Sequence, residues 1–162
     1  MELSEALKTY IKHNIILSRV AVLAAVLCSL GYLLYFLVSL FCNGMSPDDT
    51  QIHVGNIIRI LSTTAALYIL NLNFHEISER QKPFSHSVIH RFRQMSFILI
   101  AAIPLSVTAS FLTGILDPRA LTSGFELSFA DVIMLCFGAF VGMISRLFSY
   151  GEMLENELNM IA

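Results

Sequence analysis

The sequence predicts an all-α integral membrane protein, a four-helix bundle flanked by short amphipathic helices at the membrane interface. Three observations lead there. Hydrophobic residues make up 56% of the 162 residues and charged residues 14%, with a mean hydropathy of +0.70, which is too apolar for an ordinary water-soluble domain. Four stretches are long enough to cross a hydrocarbon core of roughly 30 Å at about 1.5 Å per residue. Lysine and arginine gather on alternate connectors, which sets one orientation for the whole chain.

The elements follow in order as one domain over residues 1–162. Residues 1–13 form an amphipathic lead-in, with Leu3, Leu7, Tyr10 and Ile11 opposite Glu2, Glu5, Lys8 and Lys12. This segment lacks the form of a cleaved signal, so the first apolar stretch is expected to stay in the mature protein. Residues 20–42 carry no charge and make the first span. The second, over residues 54–74, contains Arg59. The connector 75–93 is polar and basic, and Phe84, Val88 and Phe92 recur there every four residues beside His86, His90, Arg91 and Arg93. Pro83 and Ser85 suit the start of that helix, by a pre-set dihedral and a side-chain cap. The third span covers residues 94–116 with Pro104 in its middle, where a kink is expected. The fourth, over residues 127–148, holds Asp131 near its start and Arg146 near its end; an acidic amphipathic tail follows over residues 149–162.

Counting cations orients the chain. Lys8, Lys12 and Arg19 precede the first span, Arg80, Lys82, Arg91 and Arg93 lie in the middle connector, and Arg146 closes the fourth span, against Arg119 alone on the other side. Both chain ends and the middle connector are therefore expected in the cytoplasm.

Composition also narrows function. The net charge of -2 argues against direct nucleic-acid binding, which needs a strongly basic face. Cys28, Cys42 and Cys136 have no paired spacing and read as packing residues rather than disulfides or zinc ligands. His86 and His90 have the i, i+4 spacing of a helical metal pair, yet zinc needs at least one further ligand, and surface histidines explain them as well. The sequence contains neither a glycine-rich phosphate loop nor an HExxH motif, and no nucleophile and base stand together. No cofactor is expected, and a non-enzymatic role follows.

A charge inside a span is a functional flag, because an unpaired ion at the bilayer centre costs at least roughly 2.5 kcal/mol. Arg59 and Asp131 both lie a few residues into spans that start on the same side, so they are expected to pair and to tie the second span to the fourth. Asp131 shares a helical face with Gly138, Gly142 and Ser145, a face that should turn inward. Gly138 and Gly142 would admit a closely approaching helix. In the first span Ala21, Ala24, Ala25, Cys28 and Gly31 make a second small-residue strip, suited to a helix of the same molecule or of a second copy. Ser106, Ser110 and Thr113 line one face of the third span as interhelical glue.

Two stretches are similar to those of a known family: Gln81-Lys82-Pro83-Phe84-Ser85 leading through Arg91 and Arg93 into the third span, and the ending Tyr150-Gly151-Glu152-Met153-Leu154-Glu155-Asn156-Glu157. The chain resembles the small four-span bacterial membrane proteins catalogued as domain of unknown function 2975. Their pattern is a G/x-K-P-F-S turn, an arginine-bearing lead-in and a final Y/F-x-G-x-x-L-x-x-E tail; the chain departs from it at Gln81, where they often have Gly, and at Asn159 and Ile161, where an acidic residue and a threonine would stand. The resemblance implies the bacterial inner membrane, a cytoplasmic helix-turn-helix regulator as partner, and an interaction face of Lys82, Pro83, Phe84, Arg91, Arg93, Gly151, Leu154 and Glu157. It implies no established activity.

From the residues themselves, the tail could dock a basic partner, cap the bundle, or pair with the basic connector. The leading expectation is a partner or sensor subunit that engages a cytoplasmic regulator or another membrane protein. The alternative is a small oligomeric transporter or channel that uses the polar faces around Arg59, Ser106 and Asp131.

Overall fold

The computed structural model describes the backbone of residues 5–43, 47–80, 85–116 and 128–161, and side chains within 13–42, 49–79, 85–112, 128–158 and 160. Four long helices account for nearly all of it: α1 (Glu5–Val38), α2 (Pro47–Arg80), α3 (His86–Leu116) and α4 (Phe129–Ile161), with no strand among the described residues. A π-helical turn at Ser39–Asn43 continues α1. Each helix contains a segment long and apolar enough to cross a membrane: His13–Cys42, Asp49–Glu79, His86–Leu112 and Phe129–Leu158. The chain is a multi-pass membrane protein.

The helices outrun the oil. At 1.5 Å per residue the 34 residues of α2 reach about 50 Å, well past a hydrocarbon core of roughly 30 Å. Helical hydrogen bonds close within the backbone and do not require apolar side chains, so the polar lead-ins continue the spans. The stretches expected as separate interfacial helices are accordingly the first turns of α1, the end of α2 with the start of α3, and the last three turns of α4. Ser85 does open α3: its hydroxyl accepts from Val88 N at 3.4 Å and its carbonyl from Ile89 N at 3.1 Å. α3 runs through Pro104 as one helix, and the Ser106 and Thr108 hydroxyls donate to the carbonyls of Ile103 and Pro104.

Neighbouring helices run antiparallel. Ser18 bonds Asn71 while Tyr32 bonds His53, which fixes α1 against α2. Arg91 reaches Glu76 and Ser110 reaches Gln51, which fixes α3 against α2. Ser145 meets Ile89 and Ser96 meets Gly138, which fixes α4 against α3. The bundle thus has a near end, where Ser18, Glu76, Arg91 and Ser145 lie, and a far end with Tyr32, His53, Gln51 and Ser110.

Its core sits where α2, α3 and α4 meet. Ala66, Met95, Leu99 and Val141 are buried together, with Ile69, Leu70, Phe92 and Met134 packed around them. By contrast no described side chain of α1 between His13 and Val38 is buried. Large apolar side chains cover the outside instead, including Leu17, Leu34, Phe97 and Phe129. So extensive an apolar surface suits lipid and would aggregate in water.

Candidate functional site

At the far end a chain of polar side chains crosses three helices. Arg59 of α2 grips Asp131 of α4 through two parallel bonds, Nε to Oδ1 at 2.6 Å and Nη2 to Oδ2 at 2.7 Å, the strongest geometry a guanidinium and a carboxylate can adopt. The Asp131 side chain is only 2% exposed and that of Arg59 21%. Asp131 also closes the start of α4, because its Oδ2 accepts from Ser128 N at 3.0 Å while Ser128 Oγ accepts from Ala130 N at 3.4 Å. This is a capping box with aspartate in the glutamate position, and the carboxylate lies at the positive end of the helix dipole.

The chain continues beyond the ion pair. Arg59 Nη1 donates to Asn56 Oδ1 at 2.9 Å, which turns the amide so that its Nδ2 donates to Tyr32 Oη at 3.2 Å. The tyrosine hydroxyl also bonds His53 Nδ1, 2.7 Å away, and the imidazole tautomer sets which of the two donates. Donation runs in one direction from Arg59 to Tyr32. Around that imidazole stand the rings of Tyr32, Tyr35 and Phe36, with centroids 5.8 to 5.9 Å away. Chemically the arrangement is a tie: the primary amide of Asn56 stands in its middle and does not hand protons on, so it interrupts any relay.

A second cluster joins α2 to α3 at the near end. Glu76, 8% exposed, accepts from Arg91 Nη1 at 2.6 Å on Oε2 and from the hydroxyls of Ser85 and Ser87 on Oε1. Arg91 reaches on to the Leu72 carbonyl at 3.4 Å. Among the described residues α2 is thus ion-paired to α3 through Glu76 and to α4 through Arg59. One helical turn from Glu76, Asn73 is 1% exposed, and neither polar atom of its amide has a partner among the described residues.

The glycine face of α4 is filled by α3. A Cβ on Gly138 would come within 2.9 Å of Ile100 Cγ1 and 3.2 Å of Leu99 Cβ. One on Gly142 would meet Ser96 Oγ at 2.9 Å, and that same hydroxyl donates to the Gly138 carbonyl at 2.7 Å. Asp131, Gly138 and Ser145 are all buried along this face.

Other expected residues fall elsewhere. Ala21 and Gly31 of α1 are exposed and Ala25 is half-buried, and a Cβ on Gly31 would meet nothing within 4 Å, so Ala21 and Gly31 face away from the described helices. Arg91, expected on the partner-facing surface, is held by Glu76 instead. Arg93, Leu154 and Glu157 are exposed and Gly151 half-exposed. Lys82, Pro83 and Phe84 lie outside the described residues. Of the serine face, Ser110 donates across to the Gln51 carbonyl at 3.3 Å, whereas Ser106 turns back on its own helix. His86 and His90 are exposed, and no group of three metal-type ligands occurs among the described residues.

Tyr32, His53, Asn56 and the Ser128 cap escape a reading from sequence, although S-x-x-D before an apolar run is a signature that could have flagged the cap. Gly55 escapes it too: four residues before Arg59, it is buried, and a Cβ there would meet Ser110 Oγ at 3.2 Å. No family model, curated protein or solved structure matches this chain.

Proposed function

We propose that this protein is a non-enzymatic subunit of the bacterial inner membrane, with both chain ends in the cytoplasm, that engages another protein through the near end of α4. One observation carries the reading. Among the described residues the last ring contact of α4 with α3 is Phe148 on Phe92, edge to face at 5.4 Å, yet α4 continues to Ile161. Along this extension Tyr150, Met153, Leu154 and Leu158 are exposed at spacings that put them on one face, and every charge is negative: Glu152, Glu155 and Glu157.

An apolar stripe edged with carboxylates suits a basic amphipathic surface, and its charge disfavours lying flat on an anionic leaflet. The exposed Arg19, Arg93 and Arg146 support the near end as the cytoplasmic one. If the resemblance to the four-span bacterial family holds, the partner class would be a helix-turn-helix regulator. The alternative of an oligomeric transporter is less favoured, since Asp131 has both oxygens occupied and the polar chain cannot pass protons along.

Pull-down of the intact protein from mild detergent, beside a form lacking residues 150–162, tests the proposal. Loss of a specific cytoplasmic partner from the truncated form is the expected result. Retention of every partner would remove α4 from the interface.

A further inference from the structure

The near end of α3 carries a surface that neither ion pair nor core uses. His90, Arg93, Gln94, Phe97 and Ile98 line a shallow depression, and their spacing of three, four, seven and eight residues keeps them on one helical face. Polar groups occupy its first turn and apolar groups its second. α3 contains no aspartate or glutamate from His86 to Leu116. Its two arginines divide their duties: Arg91 is committed to Glu76 at 2.6 Å, whereas Arg93 is exposed and has no carboxylate partner among the described residues.

The depth of this face follows from contacts across the bundle. Arg19 adjoins Ser18, which bonds Asn71. Arg93 lies two residues past Arg91, which reaches the Leu72 carbonyl. Arg146 adjoins Ser145, which bonds the Ile89 carbonyl. Three exposed arginines from three helices therefore stand within about two turns of one level. Beyond Gln94 no charge appears through Leu116, so that level marks the boundary between headgroups and oil.

We propose that this face of α3 binds an anionic phospholipid, with the phosphate held by Arg93, His90 and Gln94 and one acyl chain lying over Phe97 and Ile98. A guanidinium presents paired N–H groups to phosphate oxygens, and an arginine at this depth can reach the headgroup plane while its stem stays in oil. The apolar second turn distinguishes a lipid from an acidic protein, because Phe97, at 71% exposure, lies on the oil side of the arginine level, where a soluble partner does not reach. This site stands or falls independently of the α4 extension.

Native mass spectrometry of the full chain in detergent, with phosphatidylglycerol or phosphatidylcholine of identical acyl chains, tests it. The wild type should retain phosphatidylglycerol over phosphatidylcholine by about fivefold or more, the factor one basic residue contributes at such a surface. The His90→Ala, Arg93→Ala double variant should lose that preference, Phe97→Ala should lower retention, and Arg19→Ala on α1 should leave it intact. These side chains are exposed, so melting midpoints in neutral detergent should not move. No preference in the wild type, or equal preference in the double variant, overturns the proposal. So does displacement of the lipid by millimolar inorganic phosphate, or indifference to Phe97, since either would make the ligand a free anion.

Discussion

Arg59 holds Asp131 by two bonds of 2.6 and 2.7 Å while Asp131 takes a third from the backbone of Ser128, so one carboxylate both joins α2 to α4 and starts α4. Arg59→Asp would set two carboxylates against each other and should destabilise the protein by about 3 to 5 kcal/mol, the usual range for stranding a buried charge. Adding Asp131→Arg restores the attraction but places a cation at a helix N-terminus and abolishes the capping box. Recovery should therefore stop about 1 to 2 kcal/mol short of wild type. Melting midpoints in detergent decide the matter: a double variant no more stable than Arg59→Asp alone would mean that the pair is not a stabilising contact.

Ser96 and Gly142 compete for one space, which makes their substitutions non-additive. Gly142→Ala should push the Ser96 hydroxyl off the Gly138 carbonyl and cost about 0.6 kcal/mol, a typical interhelical hydrogen bond in a membrane. In a Ser96→Ala background the obstructing oxygen is gone and the nearest atom is Ser96 Cβ at 3.7 Å, an ordinary contact, so Gly142→Ala should then cost nearly nothing. Gly138→Ala meets the buried Leu99, which cannot move aside, and should cost about 1 to 3 kcal/mol in either background. Strict additivity of the Ser96 and Gly142 effects would refute the shared space.

The helices and the Arg59–Asp131 contact were legible in the residues for the same reason: oil tolerates neither open backbone nor lone charge, so long apolar runs must be helical and an isolated ion must find its partner. Helix ends were less legible. Hydropathy places the second span at residues 54–74, whereas α2 runs Pro47–Arg80, because hydropathy marks where lipid ends and says nothing of where backbone bonding stops. Glu76 and Arg91 sit in a connector with Glu79, Arg80 and Arg93 as rival partners, and composition cannot rank them. Tyr32, His53 and Asn56 carry no cost signal at all, since neutral polar and aromatic residues are admissible on a membrane helix whether or not they touch each other. The small-residue strip of α1 is the converse case: the exposed Ala21 and Gly31 permit close packing without compelling it.

Asn73 offers a prediction of opposite sign to most core substitutions. Its amide is buried with both polar atoms unpartnered among the described residues, a state that costs about 1 to 3 kcal/mol in desolvation. Asn73→Leu keeps the branched outline and deletes both polar atoms, so it should stabilise the fold by about 1 kcal/mol after a small allowance for added volume, read as a raised melting midpoint. A lowered midpoint would mean that the amide has a partner in the membrane.

α1 should depend on hydrogen bonds rather than on burial for its place beside α2. None of its described side chains from His13 to Val38 is buried, while Ser18 bonds Asn71 at 2.9 Å and Tyr32 bonds His53 at 2.7 Å and accepts from Asn56 at 3.2 Å. Ser18→Ala with Tyr32→Phe removes these links and leaves the aromatic contacts around His53 in place. At about 0.6 kcal/mol each on average, loss of the three bonds should shift the docking equilibrium of α1 by roughly twentyfold, while the α2–α3–α4 core unfolds at an unchanged temperature. Spin labels at the exposed positions Leu27 and Leu61 would report the difference as a broadened distance distribution in lipid. An unaltered distribution would show that α1 is held by apolar contact after all, and a lowered melting midpoint would show that its docking is part of the core's own stability.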